Sequence, residues 1–136
     1  MRLLLDTHIL IWLAEGLADL PPRSRRRIND AARGPGLAVS AISFWEVAML
    51  ARRGRIAIRR PVHAWRADVL AAPGIREIAV SGDVGVEAVL LPGKLHEDPA
   101  DRVLVATARL HGLALGTRDR RLLAYGDQGH VAAVAL

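Results

Sequence analysis

The sequence predicts an α/β domain in which short apolar strands alternate with helices around a parallel sheet. Three observations carry this. Wholly apolar runs of three residues recur at 3–5, 37–39 and 113–115, the length and composition of strands covered on both faces. Helical stretches lie between them, opened by proline or a capping side chain and closed by glycine. No internal repeat and no long linker interrupts the 136 residues, so one domain spanning 1–136 is expected.

In chain order, the strand at 3–5 ends on Asp6, and residues 7–14 form a helix that is apolar nearly all round. Pro21 and Pro22 open a second helix bearing Arg23, Arg25, Arg26 and Arg27, and Gly34-Pro35-Gly36 closes it. Its few apolar positions mark a surface helix. Residues 37–39 form the next strand, followed by Ser40, Ser43 and a helix with Trp45, Val47, Ala48 and Met49 expected inward and Glu46 in its first turn. An extended piece at 56–58 precedes a helix from Pro61, with Val62, Trp65 and Val69 at helical spacing. A third strand is expected at 75–80, then a helix from Ser81-Gly82-Asp83 with Val86, Val89 and Leu90 inward.

The stretch from His96 to Asp119 is the most informative. Asp98 and Pro99 read as N-cap and first-turn proline, which places Asp101 in the first helical turn. Val103, Leu104, Val105, Ala106, Ala108 and Leu110 make that helix apolar on most sides. Gly112 ends it, residues 113–115 form a buried strand, and Thr117-Arg118-Asp119 follows where such a strand delivers side chains to a cleft. A short helical turn from 119 to 124 and a β-prone run at 131–136 complete the chain.

Hydrophobic residues make up 51% of the chain, which rules out a disordered tail. The absence of cysteine excludes a disulfide scaffold, a thiolate zinc site and a cysteine nucleophile, and suits the cytoplasm. The net charge of +5 favours a polyanionic partner. Arginine supplies almost all of it, with Lys94 the only lysine, a bias that a GC-rich genome also produces. Asp6 and His8 interrupt the first apolar run, and residues 9–14 are too few to span a bilayer. Neither export nor a membrane anchor is expected.

Four acids stand at the ends of these units: Asp6, Glu46, Asp101 and Asp119. Each has a purely structural reading. Ser43 and Glu46 fit a capping box, Asp101 can serve a helix dipole, and Asp6 and Asp119 can cap the helices that follow them. Taken together they point elsewhere. Strand C-termini of a parallel sheet share one edge, and four carboxylates there repel and raise one another's pKa. A hard divalent cation relieves that cost, and oxygen ligands suit Mg²⁺ or Mn²⁺. Such an ion activates water and offsets charge on a phosphodiester.

The segments Leu4-Leu5-Asp6-Thr7-His8, Ser40 to Glu46, His96 to Arg102 and Thr117-Arg118-Asp119 resemble, in order and spacing, the motifs of PIN-domain nucleases, and more narrowly the VapC-type toxins of bacterial toxin–antitoxin pairs. The resemblance runs the length of the chain. It implies a three-layer α/β/α fold with a central parallel sheet of order 3-2-1-4-5. It also implies Mg²⁺- or Mn²⁺-dependent endoribonuclease activity on RNA, inhibition by a cognate VapB-type antitoxin, and homodimers. The family's acidic quartet maps onto Asp6, Glu46, Asp101 and Asp119, and its last-motif hydroxyl onto Thr117, which could hold a scissile phosphate or orient Asp119. Thr7 is placed behind Asp6, and Asp98 is read as the cap or as an outer ligand through water. His8 and His96 are read as structural or as supporting the site. Arg102, Arg118, Arg120 and Arg121 flank it and could contact phosphates. The Arg23–Arg27 run reads as a solvated face, and Trp12, Trp45 and Trp65 as core or as a groove for the antitoxin.

Two other classes fit these residues less well. A phosphotransfer domain also puts Asp after its first strand, but needs a late-strand lysine or a second Asp two residues on, where this chain has His8. A catalytically idle PIN-like binding module would show loss of one of the four acids, and none is lost.

Overall fold

The computed structural model describes residues 2–136. Five strands form one parallel sheet: β1 (Leu3–Leu5), β2 (Leu37–Ser40), β3 (Ile75–Ile78), β4 (Ala114–Thr117) and β5 (Ala133–Ala135). Their order is β3-β2-β1-β4-β5, the order expected. Seven helices flank the sheet: α1 (Thr7–Ala14), α2 (Pro22–Arg33), α3 (Ala41–Arg52), α4 (Val62–Ala71), α5 (Gly82–Leu90), α6 (Pro99–His111) and α7 (Arg120–Asp127).

Alternation along the strands splits the core into two layers. Leu3, Leu5, Leu37 and Val39 pack on one face against Ile9 and Leu10 of α1, Ile28 of α2, Val47 of α3 and Trp65 of α4. Leu4, Ala38, Ile78 and Leu115 pack on the other against Val84 of α5, Leu104 and Val105 of α6 and Leu122 of α7. Both faces of the middle strands are thus covered, which is why these runs are continuously apolar.

The outer strands are shorter than expected. β3 stops at Ile78 rather than residue 80, and residues 56–58 form no strand. The last helix is longer, reaching Asp127. Two helix faces also depart from expectation, although Val47 of α3 is buried as expected. Trp45 is 52% exposed, and on α5 it is Val84, Ala88 and the following Leu91 that are buried, while Val86, Val89 and Leu90 are 60–74% exposed. α5 carries apolar residues on every side, so periodicity names no inward face for it. Leu110, near the end of α6, is exposed as well.

β1 and β4 are adjacent, with Leu5 opposite Gly116, and the Asp6 amide donates to the Gly116 carbonyl at 2.9 Å. Chain order reverses direction at this pair, the point where parallel sheets open a crevice. Helices that connect parallel strands run antiparallel to them, so α3 and α6 begin at this same edge. Leu115, fully buried in β4, anchors the strand that carries Thr117. Leu115→Ala is expected to cost about 2–5 kcal/mol, read as a lowered midpoint in urea with unchanged slope.

Candidate active site

The C-terminal edge of β1 and β4 opens into a cleft of about 340 Å³ lined by Asp6, His8, Ile9, Trp12, Glu46, Asp98, Asp101, Arg118, Asp119 and Arg121. The four acids singled out in the sequence all meet there. Each reaches it by a different route. Asp6 directly follows β1, and although it stands at the N-cap of α1 its side chain makes no capping bond. Asp119 caps α7, its Oδ1 accepting from the amides of Arg121 at 2.8 Å and Leu122 at 3.4 Å. Asp101 lies in the first turn of α6, whose cap is Asp98: its Oδ1 accepts from the Asp101 amide at 3.0 Å. Glu46 lies in the second turn of α3 rather than the first. The cap of α3 is Ser40, accepting from the Ile42 amide at 3.1 Å, so Ser43 and Glu46 form no capping box.

Buried hydroxyls join the strand ends and the helices beside them. Thr117 Oγ1 donates to Asp6 Oδ2 at 2.7 Å and accepts from the Asp119 amide at 3.0 Å. One side chain thereby sets the distance between two of the acids. Thr7 is paired through its Oγ1 with Ser43 Oγ at 2.8 Å, tying α1 to α3 beneath the cleft. Thr7 and Thr117 are fully buried, so neither presents a free hydroxyl to substrate.

Burial first, and neighbouring acids second, set the electrostatics of the cleft. Asp6 is only 6% exposed. Burial pushes its carboxyl up from the ordinary value, with Asp119 adding to the rise and the Thr117 hydroxyl opposing it. Burial likewise raises Glu46, with Asp98 and Asp6 contributing. Asp101 is pushed up to about 6, again chiefly by burial, with Asp98 and Asp6 acting the same way. Asp119 differs. Burial alone would raise it, but the Arg121 guanidinium and the amides of Arg121 and Leu122 outweigh that and lower it. Arg121 Nη2 lies 3.1 Å from Asp119 Oδ2 and 4.0 Å from Asp101 Oδ2, a counter-charge shared by two acids.

The donor set fits a divalent cation. Carboxylates brought together by four separate elements, three of them with raised pKa, are costly unless neutralised. Among the described residues, ligand atoms of His96, Asp101 and Asp119 all lie within 4.8 Å of one another. His96 brings in an imidazole that sequence reasoning treated as peripheral; its spacing of five from Asp101 was the available signal.

The arginines separate. Arg118 reaches the cleft wall, its guanidinium 5.7 Å from the centre of the Trp12 ring and donating to the Asp19 carbonyl at 2.6 Å. Arg102 does not line the cleft. Its donors go to carbonyls of Ala88 at 2.8 Å, Leu95 at 2.9 Å and Val89 at 3.2 Å, so the expectation of a phosphate contact is corrected to one of backbone anchoring. Trp12 is half-buried at the cleft, Trp45 exposed, and only Trp65 lies in the core.

The PIN domain family model matches residues 3–128. This chain belongs to the PIN domain family. Within it, the chain is 39% identical over 119 residues to Ribonuclease VapC22 of Mycobacterium tuberculosis, covering 88% of each protein. It also superposes on a toxin–antitoxin complex chain from Klebsiella pneumoniae with a TM-score of 0.66 and 26% identity, covering 96% of this chain and 94% of that one. A third match, in VapBC2 of Rickettsia felis, solved on a promoter DNA fragment, has a TM-score of 0.73 at 14% identity and covers 99% and 98% of the two chains; at that identity it speaks to the fold alone. The PIN fold accounts for the sheet order.

The raised carboxyls carry a stability consequence. A carboxyl whose folded pKa exceeds its unfolded value stabilises the fold below the unfolded value and loses that contribution as pH rises through the folded one. For Asp101 the window runs from 3.8 to about 6, and Asp6 acts in the same direction. In EDTA, Asp101→Asn is expected to raise the thermal midpoint over the parent at about pH 7.5, with the gain shrinking toward about pH 4. Differential scanning calorimetry at the two pH values checks this; equal midpoints at both would refute it.

Proposed function

We propose that this PIN domain is the toxin of a type II toxin–antitoxin pair, an Mg²⁺- or Mn²⁺-dependent endoribonuclease that hydrolyses RNA phosphodiester bonds in the cytoplasm and is inhibited by a cognate VapB-type antitoxin. The single observation that carries the reading is the meeting of Asp6, Glu46, Asp101 and Asp119 in one cleft. The relative named Ribonuclease VapC22 supports RNA as the substrate. A catalytically idle module would have no reason to retain four mutually repelling acids, three of them with raised pKa.

Asp6, Glu46, Asp101 and Asp119 would hold the ion. When bound, Mg²⁺ or Mn²⁺ supplies Lewis-acid chemistry, lowering the pKa of water and offsetting negative charge on a phosphodiester. The protein's own groups do the rest. Thr117 keeps Asp6 and the Asp119 backbone at fixed separation. Asp98 stands at the cleft margin as the α6 cap and would act, if at all, as an outer ligand through water. Arg118, steadied against Trp12, offers a guanidinium to a phosphate entering the cleft, where planar forked donors match phosphate oxygens. Arg121 balances Asp101 and Asp119 and can turn to the substrate when the acids are otherwise neutralised.

Two surfaces support the partners. A cleft of about 680 Å³, lined by Leu10, Leu13, Trp65, Val69 and Ile75 among others, lies between α1, α2 and α4 and suits an amphipathic antitoxin helix. The exposed Val86, Val89 and Leu90 of α5 form a contiguous apolar stripe of the kind that self-association covers. Among the described residues no helix is long and apolar enough to cross a membrane.

Asp6→Asn and Asp101→Asn should each lower RNA cleavage roughly 100-fold or more while the far-UV circular dichroism stays unchanged, and EDTA should abolish cleavage by the parent protein. Cutting that persists in EDTA and in both variants sinks the proposal. Val89→Glu should shift the protein toward monomer in light scattering coupled to gel filtration, since it places a charge in the apolar stripe.

A further inference from the structure

Two side chains beside the cleft, His96 and Arg102, have no role in the chemistry proposed above, yet one is held by a single short bond to Asp101 and the other by several bonds to carbonyls. His96 Nε2 lies 2.6 Å from Asp101 Oδ2, with side-chain exposures of only 17% and 13%. His96 Nδ1 is buried and has no hydrogen-bond partner among the described residues, so the imidazole's whole polar reach is spent on Asp101. With Nε2 against a carboxylate, the geometry assigns the proton to that nitrogen.

His96 itself sits in an irregular segment, 91–98, between α5 and α6. Such a segment needs an anchor, and Arg102 provides one. From the first turn of α6 its guanidinium donates to Ala88 and Val89, whose carbonyls lie in the last turn of α5 where helices leave acceptors unpaired. The same group donates to the carbonyls of Leu95 at 2.9 Å and His96 at 3.5 Å. Arg102 therefore ties the end of α5 and the backbone of His96 to the helix that carries Asp101. A lysine has neither the planar fork nor enough directed donors for this.

We infer that Arg102 and His96 are positioning residues that form a relay, Arg102 to the His96 backbone and His96 Nε2 to Asp101 Oδ2, which holds the Asp101 carboxylate in the cleft against the repulsion of Asp6 and Asp98 and leaves Oδ1 free to ligate a cation. The relay rests on the cation reading of the site. The α6 cap fixes only the backbone of Asp101, and a first-turn aspartate is otherwise free to rotate toward water, away from like charges. Hydrogen bonding of a ligating carboxylate by an outer partner removes that freedom, and loss of such partners weakens metal affinity by about 10- to 100-fold.

The test is Mn²⁺ binding to the chelator-stripped full chain, by calorimetry and by electron paramagnetic resonance, with thermal midpoints measured alongside. His96→Ala is expected to weaken Mn²⁺ about 10- to 100-fold. His96→Gln, whose amide can donate to Oδ2, should recover most of that loss. Arg102→Lys should weaken Mn²⁺ in the same direction; if that variant does not fold, the two His96 variants carry the test. A histidine that only packs would lower the midpoint of both His96 variants without separating them in Mn²⁺ affinity, and that result overturns the relay. Nitrogen directly bonded to Mn²⁺ in the parent spectrum, absent in His96→Gln, overturns it too, because His96 is then a ligand. Parent protein that binds Mn²⁺ as tightly as His96→Ala sinks the relay alone; parent protein that binds none sinks the cation reading with it.

Discussion

Mutual repulsion among carboxylates at one edge of a parallel sheet is the constraint to which the rest of the structure answers. Asp6 and Asp119 come from adjacent strands and cannot separate, because β1 and β4 are hydrogen-bonded along their length and Thr117 bonds to both residues. Asp101 and Glu46 arrive on helices whose first or second turns abut the same edge. The folded state accepts this electrostatic cost because two apolar layers, built on alternate residues of the same strands, hold the sheet from both sides. Burial stabilises the frame, and the frame confines the charge.

The protein's own cations are allocated by position rather than by number. Arg121 is shared between Asp101 and Asp119 and, with the Leu122 amide, favours the charged form of Asp119. Arg118 is stacked near Trp12 at the cleft wall. Arg102, only one residue from Asp101, faces away and spends its donors on carbonyls. The positive ends of α6 and α7 add partial charge where Asp101 and Asp119 sit. None of these groups neutralises Asp6, whose carboxyl is the most deeply buried of the four, and it is there that burial weighs most against the charged form.

Much of this was legible in the residues. The short apolar runs announced interior strands, and Asp98-Pro99 and Gly112 marked the ends of α6 as observed. Asp6, Asp101 and Asp119 stand at a strand end or helix start, positions defined by local chemistry, whereas Glu46 lies a turn further along its helix. The departures at Trp45 and along α5 share one origin. Trp45 and the Val86, Val89 and Leu90 stripe were expected inward, yet periodicity identifies apolar positions without saying which of several faces meets the sheet. α5 carries valine on both its buried and its exposed sides: Val84 and Ala88 face inward, while Val86, Val89 and Leu90 remain outside. Glu46 was placed a turn too early because Ser40, not Ser43, is the cap.

By itself the sequence determined the strand and helix alternation, the caps of α6 and the identity of the acids, since these depend on propensities and patterns within a few residues. Tertiary structure alone decided that Thr117 would bond Asp6 across 111 positions, that His96 would turn its Nε2 to Asp101, and that Arg102 would face backbone instead of solvent. Those outcomes depend on strand adjacency and on the path of an irregular segment. Hydrogen bonds between groups remote in sequence are selected only when packing has fixed where their backbones lie.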